Sequence, residues 1–113
     1  MVGYVTIGVS NMEKAKTFYL ALLADMGAKL TMDIGRIAFI GSKGSPAMLS
    51  ICVPFNEESP QPGNMVALTP SSKGAVDSLY KKAIEQGATC DGELGQRITD
   101  IFYGAYFRDP DGN

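Results

Sequence analysis

The chain has 113 residues, with ten basic and twelve acidic side chains and a formal net charge of −2. That length makes one domain, which buries roughly two thirds of its unfolded surface. The absence of a basic surplus argues against nucleic acid as the main partner, and no apolar run approaches the ~20 residues of a membrane span. Histidine is absent, which removes the commonest general base and the commonest metal ligand.

Met1-Val2-Gly3-Tyr4 runs directly into a strand pattern, so no signal peptide is expected. Residues 4–9 alternate and predict a strand. Ser10-Asn11-Met12-Glu13 reads as a capping box, with the serine oxygen accepting an orphan backbone N–H. Ala15, Phe18, Tyr19, Leu22, Leu23 and Met26 recur at helical spacing, and Gly27 stops the helix. Three strands are expected next, over 28–32, 36–40 and 47–53. Turns rich in glycine separate them, at Asp33-Ile34-Gly35 and at 41–46. Lys43-Gly44-Ser45 has no upstream glycine at phosphate-loop spacing and reads as part of a hairpin.

Residues 54–63, with three prolines and the pair Glu57-Glu58, form a solvated linker. A second strand is expected from Met65 to Thr69. A second helix follows, capped by Ser71 or Ser72, with Val76, Leu79, Tyr80, Ala83 and Ile84 as its stripe and Gly87 as its stop. A strand is expected over 88–91, a polar glycine-rich loop over 92–99 and a strand over 101–108. Asp109-Pro110-Asp111-Gly112-Asn113 is a turn. Cys52 and Cys90 lie in strand-like segments and read as buried free thiols in a reducing cytoplasm.

The chain repeats itself. Val5, Ile7, Ser10, Ala15, Phe18, Tyr19, Leu22 and Leu23 correspond to Val66, Leu68, Ser71, Val76, Leu79, Tyr80, Ala83 and Ile84, each pair 61 positions apart. Strand, serine and amphipathic helix thus occur twice, which predicts internal pseudo-symmetry with function where the copies face each other. Module one spans 1–53, the linker 54–63 and module two 64–113 of a single domain. In the second copy no strand follows the last turn. Either the sequence is cut short or another chain supplies that strand, and an unpaired edge would favour dimerisation.

Three stretches resemble the vicinal-oxygen-chelate superfamily, which includes glyoxalase I, bleomycin- and fosfomycin-resistance proteins and ring-cleaving dioxygenases. Tyr4-Val5-Thr6-Ile7-Gly8-Val9-Ser10-Asn11-Met12-Glu13-Lys14-Ala15, with Phe18-Tyr19, is similar to the family's opening strand and helix. Gly63-Asn64-Met65-Val66-Ala67-Leu68 resembles the start of its second module. The stretch from Tyr103 through Arg108 to Asp109-Pro110-Asp111-Gly112-Asn113 is similar to its C-terminal signature. The resemblance implies an α+β fold of paired βαβββ modules curled around one cavity, the second module lacking its last strand in this sequence.

In metal-using relatives, ligands come from four positions. Three correspond to Tyr4, Ser50 and Met65, and the fourth to a strand after the Asp-Pro-Asp-Gly turn. A phenol, a hydroxyl and a thioether are poor ligands for a divalent cation. The expectation is therefore no bound metal and no cofactor. Alternation puts Phe102, Gly104 and Tyr106 on one strand face, and the resemblance turns that face toward the cavity. Arg97 and Asp100, before that strand, lie where relatives contact substrate, and Arg97 would suit an anion.

The expected ligand-binding residues are thus Tyr4, Ser50, Met65, Arg97, Phe102 and Tyr106. The function expected is metal-independent binding of a small, aromatic or hydrophobic molecule by a cytoplasmic homodimer. Two alternatives stay open. One is a glyoxalase- or dioxygenase-like enzyme with atypical or partner-supplied residues, including metal-free acid–base use of Tyr4 or Tyr106. The other is a non-catalytic dimerisation module. The identity of the ligand is not encoded in the sequence.

Overall fold

The computed structural model describes residues 3–54 and 65–113. The linker's Glu57-Glu58 pair and Gly63-Asn64 lie outside the described residues. The described chain is α+β, and its compact units are residues 1–66 with 111–113, and residues 67–110.

The first unit opens with β1 (Tyr4–Gly8) and α1 (Met12–Leu22), continued by a 3-10 turn over Ala24–Met26. Three strands follow: β2 (Ala28–Asp33), β3 (Ile37–Ser42) and β4 (Met48–Cys52). The sheet order is β1-β4-β3-β2, with β1 parallel to β4 and the other pairs antiparallel. A strand and its parallel neighbour need a long crossover. Here α1 and the β2–β3 hairpin provide it.

The helix side of this sheet is set by register. Ile7, Ile51 and Ala38 are aligned across β1, β4 and β3, and all are buried. Ala15, Phe18, Tyr19 and Leu22 of α1 are buried too, so the spacing that predicts the helix also supplies its core stripe. Asp33, aligned with Ala38, reaches Lys16 of α1 at 2.8 Å, which marks the same side. The bulge between Leu30 and Met32 turns Asp33 that way.

Two local expectations change. The helix cap is Asn11, whose Oδ1 accepts the Lys14 N–H at 3.0 Å; Ser10 does not cap. Ser10 is engaged elsewhere. Its Oγ donates to Asp111 Oδ1 at 2.5 Å, and its backbone N–H donates to the same oxygen at 3.1 Å. Asn113 Nδ2 donates to the Gly8 carbonyl at 2.8 Å. The final residues therefore clasp the β1–α1 junction. Gly27, in the left-handed conformation, ends the 3-10 turn, whereas α1 itself stops at Leu22.

The second unit contains α2 (Lys73–Glu85), β5 (Thr89–Ile98) and β6 (Phe102–Arg108). Ser72 caps α2, its Oγ accepting the Ala75 N–H at 3.1 Å. Tyr103 faces the helix, donating to Asp77 Oδ1 at 2.5 Å beneath the Lys73 ammonium. The stripe on α2 is less buried than expected, with Ala83 its one buried member.

Residues 65–69 form no strand. Their counterpart, β1, is held by β4, and no such strand lies beside 65–69 among the described residues. Alternation supplies propensity, but a ladder needs a partner. Conversely, 92–98 belong to β5, not to a loop. Bulges between Cys90 and Gly92, Gly92 and Gly95, and Gln96 and Ile98 break the period-2 pattern there. Both cysteines are free, as expected, but Cys52 is half-buried and Cys90 exposed. No helix among the described residues is long and apolar enough to cross a membrane.

Candidate functional site

The face of the first sheet opposite α1 carries Tyr4, Thr6, Phe39, Met48, Ser50 and Cys52. Thr6, Ser50 and Phe39 are aligned across β1, β4 and β3. Tyr4 and Phe39 meet edge to face, ring centroids 5.2 Å apart. Such pairs contribute about 0.5–1.5 kcal/mol beyond their area. Phe39 was not singled out from sequence; strand alternation gives its face, but its pairing with Tyr4 depends on register.

Ser50 occupies the centre of this face. It is fully enclosed, at 0% exposure, and its Oγ has no hydrogen-bond partner among the described residues. A buried hydroxyl left unpaired costs on the order of 1–3 kcal/mol. Ser50, expected to line the cavity, is an enclosed polar group with no partner among the described residues. Cys52 is better served: Arg36 Nη1 donates to its Sγ at 3.2 Å. Met65 is 80% exposed and lies outside any strand. Tyr4 and Met65 are 61 positions apart, as the repeat pairs are, but only Tyr4 lies in a strand.

The donor set does not fit a divalent metal. Tyr4, Ser50 and Met65 offer a phenol, a hydroxyl and a thioether, none of them a carboxylate or an imidazole. No group of three or more histidine, cysteine, aspartate or glutamate side chains able to hold a metal ion occurs among the described residues.

In the second unit, Phe102, Gly104 and Tyr106 occupy the face of β6 opposite α2, since the alternating Tyr103 bonds to the helix. The rings lie close over glycines. A Cβ on Gly104 would stand 3.1 Å from Phe102 Cζ, and one on Gly92 would stand 2.9 Å from Tyr106 Cδ2. Arg97 lies within β5, not in a preceding loop, and is the extra residue of the bulge between Gln96 and Ile98. Its guanidinium carbon sits 5.6 Å from the Tyr106 ring centroid. Arg97, Tyr106 and the glycines are thus brought together. Asp100 forms the following turn at φ 61°.

Two tyrosines have phenols shifted by a neighbouring group. The hydrogen bond to Asp77 raises the Tyr103 phenol above its usual value, and a hydrogen bond to Cys90 does the same for Tyr80. Both shifts lead away from neutrality, so neither phenol is prepared as a base at pH 7.

An α+β chain with two sheets, six strands and two helices among the described residues matches the fold that the resemblance implies. The family model of the Glyoxalase/Bleomycin resistance protein/Dioxygenase superfamily matches residues 1–113, and the chain belongs to that superfamily. Comparison with the curated proteins gives no match. Among solved structures, the chain is similar to a glyoxalase/bleomycin resistance protein from Albidiferax ferrireducens T118. Identity there is 33% and TM-score 0.84, covering 100% of this chain and 93% of that one. A glyoxalase/bleomycin resistance protein from Streptomyces sp. CB03234 has 28% identity and TM-score 0.70, covering 100% and 95%. A glyoxalase-related enzyme from Fulvimarina pelagi, at 20% identity and TM-score 0.79 over 99% and 82%, shares the fold.

Proposed function

We propose that this chain binds a small aromatic or hydrophobic molecule without a resident metal. Each unit offers candidate binding residues: Tyr4, Ser50 and Met65 in the first, and Arg97, Phe102 and Tyr106 in the second. The observation that carries the reading is Ser50: an unpaired, enclosed hydroxyl in a face that bears two aromatic rings and no carboxylate. A mostly apolar surface with a few orienting polar groups suits ligand binding. Two free cysteines support a reducing, cytoplasmic setting.

A thermal-shift screen against aromatic, drug-like molecules tests this. Stabilisation by at least one compound, kept after treatment with a chelator, is expected. No stabilisation by any compound, or stabilisation only with added metal, would overturn it.

A second reading, self-association, draws on Ile98 and Ile101, which are 53% and 80% exposed beside the β5–β6 turn. Apolar side chains so placed favour an interface. Sedimentation velocity showing a monomer at tens of micromolar would count against a homodimer.

A further inference from the structure

The two arginines of the β5–β6 hairpin are treated differently. Arg108 Nη2 stands 3.1 Å from Asp91 Oδ2, so its charge is matched. Arg97 has no carboxylate partner among the described residues. One of its donors, on Nη2, goes to the Glu93 carbonyl. A guanidinium carries five N–H donors, so most of its hydrogen-bonding capacity is unspent.

The group is also held in place. Its Nη2 lies 3.5 Å from the point where a Gly92 Cβ would stand, and its Nη1 lies 3.9 Å from the corresponding point at Gly95. The glycines leave room for the planar fork to approach the strand backbone, and the Glu93 carbonyl tethers it. The bulge at Arg97 and the Tyr106 ring 5.6 Å away complete the placement. A bulge re-aims a side chain, and such features concentrate next to functional sites. The Tyr106 ring beside this fork and the Phe102 ring on the same face of β6 are both exposed.

We propose that Arg97 makes the site selective for planar aromatic molecules bearing a carboxylate. The inference rests on the binding function proposed above and narrows its ligand class. The carboxylate pairs with the free edge of the Arg97 guanidinium, a geometry that lysine cannot reproduce. The ligand's ring packs against Phe102 and Tyr106. An exposed ion pair alone adds little, so the neighbouring rings matter: by displacing water they strengthen the charge-assisted bond.

The test compares naphthalene-2-carboxylate with its neutral isostere, naphthalene-2-carboxamide, by isothermal titration at low salt. The wild-type chain should bind the carboxylate at least about fivefold more tightly. Arg97→Gln should abolish that preference, bringing the two affinities to within about twofold of each other, and Arg97→Lys should recover only part of it. Thermal melts of both variants check that they fold. Equal affinity of the wild type for the two probes would overturn anion selection and leave the binding reading standing. So would a preference that survives in Arg97→Gln. Failure of both probes to bind would overturn the proposal; if the aromatic screen also gave nothing, the binding reading would fall with it.

Discussion

Ser10 and Asp111, separated by 101 positions, are joined by two hydrogen bonds to one carboxylate oxygen, from the Ser10 hydroxyl at 2.5 Å and its amide at 3.1 Å. The Asp-Pro-Asp-Gly-Asn segment is therefore more than a turn. It returns to the β1–α1 junction, where Asn113 also bonds Gly8. Ser10→Ala should cost about 1 kcal/mol in a denaturant titration. In a cycle with Asp111→Ala, the two losses should sum to more than the loss in the double variant. Full additivity would show that the pair does not interact in solution.

The neighbouring Asn11 carries the helix cap. Asn11→Ala should cost about 0.5–2 kcal/mol, while Asn11→Ser or Asn11→Asp should cost little. If Ser10 were the cap, these three variants would be nearly alike.

Ser50→Ala removes a hydroxyl with no partner among the described residues. The variant should be as stable as the parent, or more stable by up to about 1 kcal/mol, by chemical denaturation. Its affinity for a ligand that satisfies Ser50 should fall. A loss of stability above about 1 kcal/mol would mean that the hydroxyl is paired in solution.

Asp33 has a pH-dependent role. The Lys16 ammonium first, and then the Gly35 amide, hold its carboxyl below its usual value of 3.8. A carboxylate depressed in the folded state contributes stability above its unfolded pKa. That contribution should fade as pH drops from about 4 downward. Comparing Asp33→Asn with the parent across pH 2–7 should show a gap that closes at the acid end. A gap that stayed constant would remove Asp33 as its source.

Asp100 has φ 61°, a conformation costly for residues with a Cβ and less so for aspartate. Asp100→Gly should raise stability by about 0.5–1 kcal/mol, read from the thermal midpoint. A destabilised variant would show that the aspartate side chain contributes more than the backbone strain costs.

How far the sequence was legible depends on the range of the interactions. The α1 stripe and the β2–β3 hairpin follow from local spacing, and the structure shows both. Local spacing points to Ser10 as the cap, but its partner lies at the other end of the chain and Asn11 takes that role. The strand expected at 65–69 alternates correctly but lacks the neighbour that β4 provides for β1. The glycines and bulges of β5 hid a strand of ten residues, and with it the placement of Arg97. At the candidate site, the resemblance pointed to Ser50, and the strand expected over 47–53 contains it. Its enclosure and the Tyr4–Phe39 contact depend on three-strand register, which no local pattern encodes.

The parallel pairing of β1 with β4 has a consequence for how the first unit assembles. Tyr4 aligns with Met48, so the first strand has no ladder partner until most of this unit has been synthesised. The β2–β3 hairpin closes over a short separation, and α1 needs only its own backbone. Loop-closure entropy thus favours hairpin and helix first, with β1 arriving last as an edge strand beside β4. The strand that presents Tyr4 is then the last to join its sheet and among the first to leave it. In native-state hydrogen exchange, the amides of β1 that bond to β4 would open more readily than those within the hairpin.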